Sequence, residues 1–236
     1  MHNTEAPSIA PVAALIGDPS RAAVLTALLA DRALSATELA GVAGVGKPTI
    51  SAHLVKLREA GLLAVDRQGR HKYFRLAHPD VARAIEALMG VAGRTGAVRA
   101  SGRTVPPALR KARVCYDHLA GELGVFVYER LRGAGAFAAP RAAAGAGTAA
   151  LELTGSGAAR MERLGIDLAV VRARRRSFGH ACLDWTERRY HLAGALGAAL
   201  LDRVLALGWA RRLKGSRVLR FGPAGEAALR RAFGSR

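Results

Sequence analysis

The chain has little cysteine and little acid, and each shortage narrows what it can be. Only Cys115 and Cys182 occur among 236 residues, so no disulfide framework supports the fold. No apolar run approaches the roughly 18 residues of a membrane helix, and residues 1–8 lack the apolar core of a secretory signal. The expectation is a cytoplasmic protein with no membrane partner. His-Glu-x-x-His, a phosphate loop, a nucleophile elbow and a dinucleotide fingerprint are all missing, which points away from an enzyme. Asp and Glu number 18 against 36 Lys and Arg, a net charge of +18 that favours a polyanionic partner. The excess is uneven: residues 1–100 carry 12 basic and 8 acidic groups, residues 101–236 carry 24 and 10.

What is present is concentrated between Thr37 and Tyr73. Within Lys47 to Ala60, Ile50, Leu54 and Leu57 fall on one helical stripe, the pattern of a helix with one buried face. Thr49, Ala52, His53 and Lys56 repeat that spacing on the opposite side with small, polar or cationic groups, short enough to lie against base edges. Thr37 to Ala43 predicts a preceding short helix, Gly44-Val-Gly46 the turn, and Pro48 sits in the first helical turn, where its missing N–H costs little. Two helices joined by a tight turn make a helix-turn-helix. Gly61 suits a helix C-terminus, and Leu62–Asp66 and Lys72–Leu76 read as strands around a tip at Gly69. The cations Arg67, Arg70, His71 and Lys72 cluster there, suited to phosphates or to the narrow minor groove. This is the pattern of a winged helix that binds duplex DNA. Its expected contacts are Lys47, Pro48, Thr49, Ser51, Ala52, His53 and Lys56 on the helix, with Arg67, Arg70, His71 and Lys72 on the wing.

Glu38-Leu-Ala, Ser51-Ala-His-Leu-Val-Lys-Leu57, Ala60-Gly-Leu-Leu63, Gly69-Arg-His71 and Tyr73-Phe-Arg-Leu76 occur in an order that resembles the ArsR/SmtB family of winged-helix repressors, over about residues 8–95. The resemblance implies a homodimer that occupies an operator and leaves it when an inducer binds. The family's usual metal ligands do not carry over. The position of its Cys-x-Cys pair reads Leu39-Ala-Gly-Val42, and the helix after the wing begins His78-Pro-Asp80 without the later His and carboxylate.

In chain order, residues 1–7 are expected to be a disordered tail. Ile9, Val12, Ala13 and Ile16 face one side of a first helix ending at Gly17, and Val24, Leu25, Leu28 and Leu29 form the stripe of a second, opened by Pro19. Val81, Ile85, Leu88 and Ala92 give a further stripe after the wing. Terminal helices with apolar faces left over predict a two-fold dimer on an inverted-repeat operator. The domain spans residues 8–92, and Gly, Ser, Thr and a Pro-Pro pair mark a linker over 93–107.

Residues 108–236 are expected to be a second, degenerate winged-helix-like domain, so the whole chain is mainly α with small β (α+β). A helix is predicted over about 109–131, a low-complexity Gly/Ala loop over 133–150, and a long helix over about 186–207. Leu151 to Leu164 echoes Leu219 to Ala232 at an offset of 68, each a short strand running through a glycine turn into a helix. Cys115 and His118, three apart on the expected helix, would point the same way, and an extended His180-Ala-Cys182-Leu-Asp184 would put alternate residues on one side, with His191 on the next helix. Should these segments meet, Cys115, His118, His180 and Cys182 are candidate ligands for zinc or another borderline-soft ion, and Cys115 and Cys182 a candidate redox pair. The alternatives are that they are core residues, or that Trp185, Trp209, Tyr116 and Phe126 line an organic-effector pocket. No cofactor is required. Arg172, Arg174, Arg175, Arg176, Arg188 and Arg189 form either a solvated face or a phosphate contact. The expected function is a dimeric repressor released by a signal; a constitutive DNA binder and a reader fused to a catalytic domain are the alternatives.

Overall fold

Helix boundaries in the first eighty residues fall where proline, glycine and small polar residues place them. A computed structural model describes residues 7–29, 32–69, 71–95, 105–138 and 150–234. Arg70, all of the expected tail except Pro7, and most of the linker and of the Gly/Ala loop lie outside the described residues. The chain divides into two units, Met1–Ile85 and Glu86–Arg236, the division falling inside a helix rather than at 93–107.

In the first unit α1 (Ala10–Ile16) stops at Gly17, and α2 (Pro19–Ala27) is capped by Asp18, whose side chain accepts from the Arg21 N–H at 2.8 Å. β1 (Leu34–Ser35) leads into α3 (Ala36–Ala43), where Ser35 and Glu38 cap one another's backbone N–H groups in a capping box. Gly44, at φ +66°, ends α3 in the left-handed conformation that lets the chain turn at once into α4 (Lys47–Glu59). β2 (Leu63–Gln68) and β3 (His71–Leu76) form an antiparallel hairpin in the register Gln68↔His71 and Arg67↔Lys72, and β1 pairs with β3 on its other edge. Val24, Leu25, Leu28, Leu29, Leu39, Ile50, Leu54 and Leu57 are all buried, the core that the helical spacing predicts. At about 1.5–3 kcal/mol per buried leucine or valine, this shared core is what fixes α4 against α2 and α3.

α1 has no buried residue, and Ile9 is 81% exposed. α5 (Pro79–Thr95) buries Ala82 and Ile85 yet leaves Leu88 and Val91 exposed. Both terminal helices thus keep apolar surface after this chain has folded.

The second unit corrects two expected helices. Only α6 (Pro107–Lys111) and α7 (Glu122–Gly133) are helical within 107–133; between them β4 (Arg113–Val114) and β5 (Leu119–Ala120) pair antiparallel around a turn at 115–118. Likewise residues 184–189 are a tight turn, followed by the strand β7 (Tyr190–Ala193), and only then by α10 (Gly194–Ala206). The apolar spacing suits helix or strand, and tertiary pairing chose strand. Gly121 and Gly194, at φ +84° and +83°, mark where each strand must break before its helix can start. The remaining elements are α8 (Gly155–Arg163), α9 (Leu168–Ala173), β6 (His180–Leu183), which pairs with β7, then β8 (Ala210–Arg212), β9 (Leu219–Phe221) and α11 (Pro223–Gly234). β8 and β9 pair antiparallel ahead of α11.

The 68-residue echo is the tail of a larger repeat. His118-Leu-Ala-Gly-Glu-Leu-Gly124 recurs as His191-Leu-Ala-Gly-Ala-Leu-Gly197, in each case a strand entering a helix. Both helices then end at a left-handed glycine, Gly135 and Gly208. The two copies exchange edges reciprocally: Arg113 bridges Val218 of the second copy, and His180 bridges Ala150 of the first. A Cβ at Gly124 would sit 3.5 Å from the Cβ of His191, and one at Gly197 3.2 Å from the Cβ of His118. Reciprocal contacts of this kind are what a two-fold relation produces, here within one chain.

Candidate nucleic-acid interface and a buried Cys/His cluster

On α4 the face opposite Ile50, Leu54 and Leu57 is open. Lys47, Pro48, Thr49, Ser51, Ala52 and Lys56 are exposed and His53 is half-buried. The Ser51 hydroxyl donates to the Lys47 carbonyl at 2.9 Å, so toward a ligand it can only accept. Arg67, His71 and Lys72 are exposed on the wing, with Arg67 directly opposite Lys72. An ion pair of 2.8 Å between Arg75 and Asp66 ties the two strands beside them. A concave groove between α4 and the wing is lined by Ser51, Val55, Arg58, Arg67 and Lys72 among others. Hydrogen-bonding groups on a helix beside a cationic hairpin suit duplex DNA, where bases are read in the major groove and phosphates fix the register.

The second unit holds a different kind of site. One ligand-capable atom from each of Cys115, His118, Cys182 and His191 lies within 4.8 Å of all the others, and every residue of the group except Cys182 is buried. Cys115 and His118 bracket the β4–β5 turn, which the Cys115 N–H closes by donating to the His118 carbonyl at 3.0 Å. Cys182 and His191 face each other across β6 and β7 in register. The structure brings Cys115, His118 and Cys182 together, on strands and turns rather than a helix. It replaces His180 with His191. His180 is taken by the rim, its Nδ1 3.1 Å from the Ser177 Oγ, at the position that Arg113 holds in the other copy. Both cysteines are free thiols.

Each imidazole is backed by a carboxylate. His118 Nδ1 lies 3.1 Å from Asp117 Oδ1, and His191 Nδ1 3.3 Å from Asp184 Oδ2, a close contact without good hydrogen-bond alignment. Nε2 of His118 and Nε2 of His191 are 3.1 Å apart. The neighbouring Cys182 sulfur and burial push the Cys115 thiol well above its usual pKa. Burial opposes a charged His118, but Cys115 and Asp117 outweigh it and raise its pKa to about 10. Burial likewise works against ionised Asp117, yet His118 and Arg176 bring its pKa down to about 2. Asp184 is held still lower, burial being overcome by His191, Arg113 and Thr186.

The other sequence candidates in this half have more ordinary roles. Trp185 stacks under the guanidinium of Arg113, and Phe126 lies between Arg130 and Arg230. Of the basic cluster, Arg172, Arg174, Arg176 and Arg189 are paired with Glu152, Asp202, Asp117 and Glu129, which favours a structural surface over phosphate binding.

Comparison with known proteins agrees with the first unit and extends beyond it. The helix-turn-helix domain family matches residues 16–66. Over 223 residues the chain is 39% identical to the uncharacterized HTH-type transcriptional regulator YdfF of Bacillus subtilis, covering 94% of this chain and 96% of that one. It is 34% identical over 100 residues to the arsenic resistance transcriptional regulator ArsR1 of Pseudomonas putida, covering 42% of this chain and 73% of that protein. Among solved structures, the transcriptional repressor BigR of Xylella fastidiosa is 28% identical with a TM-score of 0.32, covering 35% of this chain and 84% of that one. No helix among the described residues is long and apolar enough to cross a membrane. From helix-turn-helix to wing, and through a relative that matches almost end to end, the chain belongs to the ArsR/SmtB family of winged helix-turn-helix transcriptional regulators.

Proposed function

We propose that this protein is a homodimeric repressor that reads an inverted-repeat operator with α4 and grips the flanking backbone with its wing. The observation that carries the reading is the placement of Thr49, His53 and Lys56 on the open side of a helix whose other side is core, beside exposed Arg67, His71 and Lys72. Exposed Ile9 just before α1 and Val12 on it, with Leu88 and Val91 on α5, support pairing with a second copy. A two-fold pair would present its two reading helices to successive major grooves roughly 34 Å apart. A signal that the second unit senses would release the operator.

The test is selection of DNA from a random pool by the purified protein, followed by titration of the selected duplex and a scrambled one. Thr49→Ala and His53→Ala are expected to weaken the selected site by about 5- to 150-fold, equivalent to 1–3 kcal/mol, and the scrambled site much less. Lys72→Ala should weaken both alike and reduce the salt slope by about one. Equal losses on both duplexes for the helix variants would refute base reading by α4.

A further inference from the structure

We infer that Cys115, His118, Cys182 and His191 form a closed tetrahedral site for one zinc-class ion, built on the internal two-fold of the second unit. Each copy of the repeat contributes the same set: a cysteine, an aspartate two residues later, and a histidine that opens His-Leu-Ala-Gly. Cys115, Asp117 and His118 come from the first copy, Cys182, Asp184 and His191 from the second.

The donor geometry fits. Zinc bonds of about 2.0–2.3 Å to nitrogen and sulfur set tetrahedral ligand atoms about 3.3–3.8 Å apart. Here the two Nε2 atoms are 3.1 Å apart and all four donors lie within 4.8 Å, so shifts of a few tenths of an ångström to about one close the site. The aspartates explain the orientation of the rings. A carboxylate at Nδ1 favours a proton on that nitrogen and leaves Nε2 as the one that turns to a ligand. The 3.1 Å between the two Nε2 atoms calls for something electron-poor between them, a proton or a metal ion. A proton holds only the two nitrogens together, whereas a metal ion engages both nitrogens and both sulfurs at once.

The chemistry of the set selects the ion. Two thiolates and two imidazoles in tetrahedral array suit zinc and its soft neighbours, not the oxygen-seeking calcium or magnesium. Four protein donors leave no coordination position for substrate, so the ion acts as a fastener between the β4–β5 turn and the β6–β7 hairpin. Binding converts the thiols to thiolates and releases their protons to solvent. Cys182 is the only partly exposed member and marks the route of entry.

The full-length protein, reduced and stripped with a chelator, is titrated with Co(II) and then Zn(II). One Co(II) per chain is expected, with a thiolate-to-cobalt charge-transfer band and the strong visible bands of a tetrahedral ion, both bleached as Zn(II) displaces it. Zn(II) should also protect both thiols of the wild-type protein from alkylation, a reading that needs no variant. Cys115→Ser with Cys182→Ser should abolish the charge-transfer band, and Asp117→Asn should keep the spectrum but lose affinity by about 10- to 100-fold. Weak octahedral cobalt bands, binding unaltered in the double serine variant, or thiols that pass into a disulfide without ever binding cobalt would each overturn the assignment.

Discussion

Asp184→Asn, which alters one atom and removes one charge, should cost the second unit a large part of its stability. Asp184 is fully buried beside a fully buried Arg113, whose Nη2 donates to Oδ1 at 2.9 Å. The same oxygen accepts from the Thr186 N–H, the Thr186 hydroxyl and the Glu187 N–H, while Oδ2 accepts from the Gly121 N–H at 2.7 Å and faces His191. An asparagine puts an NH2 against one of these donor sets whichever way it turns, and leaves the guanidinium without a counter-charge. Breaking a buried ion pair from one side costs about 3–5 kcal/mol. With a urea slope of about 2 kcal/mol per M, the unfolding midpoint should fall by about 1.5–2.5 M. Tryptophan fluorescence reads this unit alone, because Trp185 and Trp209 are the only tryptophans and both lie in it. Performed with chelator and reductant present, a midpoint shift under about 0.5 M at unchanged slope would refute the account of Asp184 as the buried hub.

Three further outcomes follow from particular contacts. Leu88→Glu, placed on the exposed apolar side of α5, should turn a dimer into a monomer in sedimentation equilibrium and weaken operator binding in parallel; an unchanged dimer would remove α5 from the interface. Gly197→Ala would put a Cβ 2.5 Å from the Leu192 carbonyl oxygen and 3.2 Å from the His118 Cβ, so thermal unfolding should show a loss of about 1–3 kcal/mol, and a neutral effect would contradict the close strand-helix approach. Glu226 is held below the usual glutamate pKa mainly by Lys111, with Arg230 adding to it. A carboxylate with a lowered folded pKa contributes stability above its unfolded value and loses it as pH falls through the folded one, so Glu226→Gln should flatten the dependence of the melting temperature on pH in the acid range below about 5. An identical pH profile for variant and wild type would count against these ion pairs.

The first eighty residues were readable because their signals are local. Gly44, Gly46, Pro48 and Gly61 act on the backbone within a turn of where they stand, and the leucines of α2 and α4 repeat at helical spacing. The second half misled for the opposite reason. Leu119 to Leu123 suits helix or strand equally, and the strand is chosen by pairing with Arg113 and, through Ala112, with Leu219 a hundred residues on. The ligand group was half legible: Cys115, His118 and Cys182 stood out by residue type. Of the histidines, residue spacing favours His180 beside Cys182, whereas the structure uses His191, which the repeat of His-Leu-Ala-Gly at 118 and 191 marks as the equivalent of His118.

The order of residues alone thus determined the family, the helix α4 with its open and closed sides, and the wing, since each depends on neighbours within a few positions. It also wrote the same Cys, Asp and His set into the chain twice. Only tertiary structure decided that the two sets meet, because their meeting depends on edges exchanged between copies far apart in sequence, where His118 and His191 come to face one another at 3.1 Å.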